Sequence, residues 1–252
     1  MKKASLSNIC RLDDRVGAAA DPLTLNFLDS LASLGDSRLQ RRLLKELIEK
    51  YVELEKRVTS LLRNTLPTPV AEEIKYQGRY APRPFDCTIL FLDIAGFTHL
   101  AESMTGEALI DLIDELFRGF DDLIARCRGT KIKTIGDAYM VVFGAPEAYP
   151  DHAAQGITAA LEILEYLDYF NRQHGHEVQM RAGIHTGRVM AGVVGKERMQ
   201  FDVFGDDVNI AARFESSGLK GRVNVSHATY LAAKDLFCFE PRGKLPLKNK
   251  AD

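Results

Sequence analysis

Hydrophobic and polar positions change their period several times along this chain. From about residue 37, Leu44, Leu47, Tyr51, Leu54, Val58 and Leu61 recur at alternating steps of three and four, a heptad seam. With Leu44 at an a position, Lys50 falls at g and Glu55 at the following e, opposite charges where a parallel partner helix would sit. An amphipathic helix packed on its own domain would show the same seam. Leu66-Pro67 stops the helix, Pro69 permits a short restart through 71–75, and 80–84, with Pro82 and Pro84, reads as a linker.

Beyond the linker the period alternates between strand and helix. Residues 86–93 form an almost continuous apolar run (Ile89, Leu90, Phe91, Leu92), the signature of a central strand. Residues 109–127 carry helical spacing through Leu112, Ile113, Leu116, Phe117, Phe120 and Ile124. Two short strands, 131–135 and 138–143, flank the turn dipeptide Gly136-Asp137. A helix over 153–170, strands over 177–184, 189–194 and 201–204, a helix over 208–215 and strands at 222–225 and 236–240 complete the pattern. The expected fold is α+β, a ferredoxin-like βαββαβ core with appended strands and helices behind an N-terminal coiled-coil helix.

Composition adds exclusions. A chain of 252 residues, 46% apolar, can bury the core of an ordinary domain, and a net charge of −2 with 27% charged residues argues against nucleic acid as a partner. The longest apolar runs fall far short of the roughly 20 residues of a membrane span. No apolar stretch follows Lys2 and Lys3, so no signal peptide is expected. Cys10, Cys87, Cys127 and Cys238 lack any metal-binding spacing and read as reduced thiols of a cytoplasmic protein.

Two aspartates stand out. Asp93 ends the central strand and precedes Ile94-Ala95-Gly96-Phe97-Thr98, where Gly96 allows a tight turn and backbone N–H groups suit a phosphate. Asp137 tips the next hairpin, which a β-α-β-β core sets beside the first strand. Two carboxylates next to a phosphate-binding turn suit divalent metals with oxygen ligands, above all Mg²⁺. Taken singly, an Asp after a strand is often only a helix cap, and Gly-Asp only a turn.

The stretches FLDIAGFT (91–98), IKTIGDAYMVVFG (132–144), RAGIHTGRVMAGVVG (181–195) and FDVFGDDVNIAARFESSG (201–218) resemble the catalytic domain of class III nucleotidyl cyclases, in the family's order and spacing, over about residues 61–248. The resemblance implies an adenylate cyclase that converts ATP to 3′,5′-cyclic AMP and pyrophosphate. It places two metal ions, Mg²⁺ or Mn²⁺, on Asp93, Asp137 and the carbonyl of Ile94. It gives Lys133 and Asp202 the reading of adenine, whose N1 acceptor and N6 donor match an ammonium and a carboxylate. Guanylyl cyclases typically carry Glu and Cys there. Asn209 and Arg213, four apart on one helix face, match the residues that orient the ribose and stabilise charge on the α-phosphate. Gly96, Phe97, Thr98 and Lys248 match phosphate contacts. The proton acceptor stays open between Asp93 and a water beside it.

The same resemblance implies a homodimer with two shared sites, since one chain holds both half-sites. The expected organisation is 1–35 without an assigned role, 36–66 a coiled-coil signalling helix, 67–84 a linker or transducer, and 85–252 the catalytic domain with its last strand cut short. An upstream sensor or regulator is expected. Three other readings stand beside this one: a non-catalytic nucleotide-sensing dimerisation module, a guanylyl cyclase and a cyclic-dinucleotide synthase. The intact residue set disfavours the first, Lys133 and Asp202 the second, and the absence of GGDEF the third.

Overall fold

The computed structural model of the chain describes residues 37–243, so the segment 1–35 and Lys248 lie outside the described residues. It divides into two units, 1–60 and 61–252. The first contributes most of helix α1 (Ser37–Arg63), laced by i,i+4 ion pairs such as Arg57–Glu53 at 3.1 Å. Along it Leu44, Leu47, Tyr51, Leu54 and Val58 are exposed.

The second unit is built on one sheet. Strand β1 (Arg83–Ile94) lies at its centre, with β2 (Gly129–Ile135), β3 (Ala138–Phe143), β4 (Met180–Val194) and β5 (Gln200–Phe204) in the order β2-β3-β1-β4-β5. All neighbours on this path are antiparallel. The first four strands have the ferredoxin-like order expected. The outer edge of β4 is shared, since β6 (Val223–Val225) pairs in parallel with Ala182–Ile184 while β5 pairs with Met190–Val194.

Both faces of the sheet are covered, which is why β1 reads as an unbroken apolar run. Leu90, Leu92 and Ile94 join one core with α4 (Gly106–Arg126) and α5 (His152–His174). Cys87, Ile89 and Phe91 join the other with α2 (Thr68–Gln77) and α6 (Asp206–Ser216). Thr105 caps α4 by accepting from the Ala108 N–H at 3.3 Å, and the buried Leu112, Leu116, Phe117, Phe120, Leu123 and Ile124 form its inner stripe. Two shorter helices, α3 (Phe97–Ser103) and α7 (His227–Ala233), complete the unit.

Several boundaries differ from the sequence reading. The two strands expected at 177–184 and 189–194 are one 15-residue strand, β4. Its internal His185-Thr186-Gly187 reads locally as a break, but the whole of β1 pairs across it. Strand β1 begins at Arg83, inside the expected linker, and Pro84 is tolerated within it. No strand forms over 236–240. Cys87, Cys127 and Cys238 are free thiols.

Candidate functional site

The carboxylate pair comes together at one end of the sheet. The β1–β3 register runs to Leu92 opposite Tyr139, so Asp93 meets the start of β3 just beyond the hairpin that carries Asp137. Gly136 takes a left-handed φ of 64° at the first position of that two-residue hairpin, a conformation open to glycine without strain. The pKa of Asp137 is raised. Burial is the main cause, with the neighbouring charge of Asp93 adding to it.

A cation already faces this pair. Arg181 stands directly opposite Asp93 across the β1–β4 ladder, and its Nη2 donates to Asp93 Oδ2. On its other side Arg181 Nε lies 3.0 Å from Glu215 Oε1 of α6. That second approach has the distance of an ion pair without hydrogen-bond alignment, and both atoms are buried and unbonded. Burial and the charge of Asp93 raise the pKa of Glu215. Motif reading assigned no role to Arg181 or Glu215. Their signal is present in the stretches 181–195 and 201–218, but nothing local marks an Arg and a Glu far apart in sequence as partners of Asp93.

The donor set fits a hard divalent cation. Two converging carboxylates that tolerate an Arg⁺ between strands, next to the chain turn at Ile94, make an oxygen-rich, net-negative corner. Among the described residues no three His, Cys, Asp or Glu side chains form a metal cluster. Mg²⁺ characteristically takes only one or two carboxylates and completes its shell with water and substrate phosphates, so the pair is sufficient. Gly96, at a left-handed φ of 81°, precedes α3 and offers no side-chain cap to the first N–H groups, those of Phe97 and Thr98 included.

Lys133 and Asp202 also meet, although β2 and β5 are the two ends of the strand path. Lys133 Nζ lies 2.5 Å from Asp202 Oδ2, with Asp202 buried and Lys133 partly so. A register shift explains the aim of the lysine. Lys131 pairs with Val141 and Lys133 with Met140, so Ile132 is inserted between them. Residues two apart on a regular strand share a face. With the extra residue, Lys131 turns to the α4 side, 2.8 Å from Asp121, while Lys133 shares the other face with Met140.

Helix α6 is bedded on one face of β4. Arg181, Gly183, His185 and Gly187 alternate onto that face, and each meets α6. A Cβ on Gly183 would stand 1.9 Å from the Glu215 nitrogen, and one on Gly187 would stand 2.4 Å from Asp207 Cγ. Four strand residues span about 13 Å and eight helical residues about 12 Å, so the two contacts coincide along the helix. Asp207 accepts from the Arg188 N–H at 2.8 Å and lies 3.0 Å from His185 Nε2, whose Nδ1 is 2.8 Å from Ser226 Oγ. The helix so fixed carries Asn209, exposed, and Arg213, whose Nη1 is buried without a hydrogen-bond partner. An unpaired buried guanidinium nitrogen is costly unless a ligand completes it.

A profile described as the adenylate and guanylate cyclase catalytic domain matches residues 80–252. This chain belongs to that family. The chain is 36% identical over 241 residues to a receptor-type guanylate cyclase of Caenorhabditis elegans, covering 90% of this chain and 19% of that protein. It is 38% identical over 196 residues to an adenylate cyclase of Mycobacterium tuberculosis, covering 77% of this chain and 44% of that one. The chain thus spans less than half the length of either relative. The crystal structure of the adenylyl cyclase CyaB of P. aeruginosa superposes with a TM-score of 0.66 at 28% identity, over 69% of this chain and 92% of that one. Cyclases of both nucleotide classes are therefore among the relatives. Among the described residues no helix is long and apolar enough to cross a membrane.

Proposed function

We propose that this cyclase domain converts ATP to 3′,5′-cyclic AMP and pyrophosphate at sites shared by two copies of the chain. The observation that carries the reading is the Lys133–Asp202 pair. It holds an ammonium and a carboxylate side by side, partly shielded from water, before any base arrives. Adenine satisfies both, taking a hydrogen bond at N1 from Lys133 and giving one from N6 to Asp202. Guanine presents a donor at N1 and an acceptor at O6, so each protein group would face its like, at a cost on the order of 10⁴-fold in selectivity.

Asp93 and Asp137, with the Ile94 carbonyl, would hold the divalent cations, Mg²⁺ or Mn²⁺. When bound, such a pair acidifies the ribose 3′-hydroxyl and neutralises charge on the triphosphate. The 3′-oxygen attacks the α-phosphorus, the bond to the β-phosphate bridging oxygen breaks, and the hydroxyl proton passes to Asp93 or to a water beside it. Asn209 orients the ribose. The free Nη1 of Arg213 donates to an α-phosphate oxygen as negative charge builds there. The backbone N–H groups after Gly96 receive the triphosphate.

One protomer would supply the carboxylates and its partner Lys133, Asp202, Asn209 and Arg213. The exposed apolar seam of α1 supports pairing of two copies through that helix. Incubation of the purified chain with ATP or GTP and Mg²⁺ or Mn²⁺, with products identified by mass, tests the reading. Cyclic AMP that vanishes in Asp93→Ala is the expected result. Cyclic GMP as the main product would favour a guanylyl cyclase, and no turnover of either nucleotide a binding module.

A further inference from the structure

A line of hydroxyl groups joins two histidines that lie far apart in sequence. His152 Nδ1, at the start of α5, is 2.9 Å from Thr88 Oγ1 of β1, which is 2.8 Å from Thr186 Oγ1 of β4. Thr186 is 3.0 Å from Thr229 Oγ1, Thr229 is 3.1 Å from Ser226 Oγ, and Ser226 is 2.8 Å from His185 Nδ1. Thr88, Thr229, Ser226 and His185 are buried. The other ring nitrogen of His185, Nε2, faces Asp207 of α6 at 3.0 Å. Ser226, His185 and Asp207 stand in the order of a nucleophilic triad, but Ser226 caps α7 and is only 3% exposed, so it cannot meet a substrate.

Counting protons shows what the line can do. Five hydrogen bonds lie between the two Nδ1 atoms, and the four hydroxyls supply four protons. The fifth must be an Nδ1–H of one ring. A side outlet from Thr229 Oγ1 to the Ile184 carbonyl is 3.5 Å long, beyond the range of an O–H···O bond, and that carbonyl already accepts from the Ser226 N–H at 2.9 Å. The ionised carboxylate of Asp207 can only accept, so it fixes the proton of a neutral His185 at Nε2 and leaves Nδ1 as an acceptor. His152 then supplies the Nδ1–H, and every hydroxyl points toward His185. Charging His185 at Nδ1 reverses all four hydroxyls and needs an accepting Nδ1 on His152.

We propose that this line is a proton switch in which charge on one of His152 and His185 opposes charge on the other, and in which His185 acts as a positioning residue that sets how Asp207 holds α6. With His185 neutral, its bond to Asp207 is an ordinary one. With His185 charged, the bond is charge-assisted and roughly twice as strong. Helix α6 carries Asn209 and Arg213, so the switch reaches the residues proposed to act on the ribose and the α-phosphate, whichever nucleotide is cyclised. Burial lowers the pKa of His152 against the raising pull of Asp86 and Asp151, which favours its neutral form. At the His152 end stand Asp86 of β1, opposite Arg188 in the ladder, Asp151, paired with Arg128 at 3.6 Å, and the Tyr149 ring. At the His185 end stand Asp207 and, on β1, the buried Cys87, whose thiol burial pushes up to about 12.

Nitrogen-15 spectra of the histidine rings in the full chain read the tautomers directly, with His152→Gln and His185→Gln assigning the signals. Where both rings are neutral, His152 should carry its proton at Nδ1 and His185 at Nε2. On acidification the second ring of the pair should bind its proton at least about tenfold more weakly than it does once the line is cut, as expected for one buried bond left unmade. Thr186→Val cuts the line and should let the two rings charge independently, while Thr186→Ser restores the hydroxyl and the coupling. The Arg188 amide, which donates to Asp207 Oδ2 at 2.8 Å, should move as His185 charges and report the change at α6. Neutral rings both protonated at Nε2, independent charging in the unsubstituted chain, or an Arg188 amide that stays fixed while His185 charges each overturn the inference. If Thr186→Val fails to fold, the tautomers of the unsubstituted chain still decide. None of these readouts uses turnover, so they stand whether or not cyclic AMP is the product.

Discussion

The ammonium of Lys133 and the carboxylate of Asp202 are 2.5 Å apart, yet they come from the two outermost strands of a five-strand path. The sheet curls enough that these two strands approach one another, although no ladder joins them. The inserted Ile132 then turns Lys133 to the face where Asp202 can be reached. The pair proposed to read the base is thereby assembled from strands that share no hydrogen bond.

The first prediction concerns that pair. Lys133→Glu with Asp202→Cys should reverse the donor–acceptor pattern and move kcat/KM from ATP toward GTP by at least about 10²-fold, part of the roughly 10⁴-fold range open to a polar site. Competition assays with both nucleotides in one tube check it. Unchanged preference for ATP would remove the assignment.

Arg213→Ala should lower kcat by about 10²–10³-fold with little change in KM, the loss expected for one donor aimed at developing charge. Arg213→Lys should restore only part of it, because the ammonium lacks the planar fork. Melting temperatures close to the parent's would show that the loss is chemical.

Asp137→Asn should stabilise the metal-free protein while abolishing metal binding. The native pKa of Asp137 is raised above its ordinary value of 3.8. Between those two values the folded state binds the extra proton, so the carboxylate's contribution is favourable at low pH and is lost as pH rises through the raised value. At neutral pH the ionised side chain therefore costs stability that the amide does not. The variant should melt a few degrees higher at pH 7, at about 2–4 °C per kcal/mol for a domain of this size, with the difference closing near pH 3. Calorimetry at several pH values, with chelator present, measures it.

Gly183→Ala should be far more damaging than its size suggests. The new methyl would meet backbone atoms, the Glu215 nitrogen at 1.9 Å and the Phe214 carbonyl carbon at 2.5 Å, so α6 must lift from β4. The expected cost is about 1–3 kcal/mol or more, with loss of turnover. Gly96→Ala is a contrast, since nothing lies within 4 Å there and only its left-handed φ is strained.

Leu47→Gln with Leu54→Gln should lower dimer mass and cyclase activity together, as read by light scattering and product formation. A dimer of unchanged mass would separate α1 from assembly, and full activity in a monomer would separate assembly from catalysis.

Much of the molecule was legible in advance because its information is local. The continuous apolar run at Ile89–Leu92, the helical stripe from Leu112 to Ile124 and the Gly136-Asp137 hairpin are set by period and by glycine's access to positive φ, and the elements formed where those patterns lie. The break read at His185-Thr186-Gly187 failed for a physical reason. Gly187 is there to admit the Asp207 carboxylate of α6, not to turn the chain, and a period-based reading cannot tell close approach from a turn.

Order, spacing and residue type along the chain are thus enough to specify the family, most of the elements and a candidate list from Asp93 to Arg213. They leave open which of those residues meet. Asp93 and Arg181 are 88 residues apart, and Lys133 and Asp202 are 69 apart. Such pairings depend on a register, an inserted residue and the curl of the whole sheet, and a shift of one position in register turns a side chain to the other face. Only the folded sheet decides that Arg181 stands between Asp93 and Glu215, because only there do the strand and the helix lie against each other.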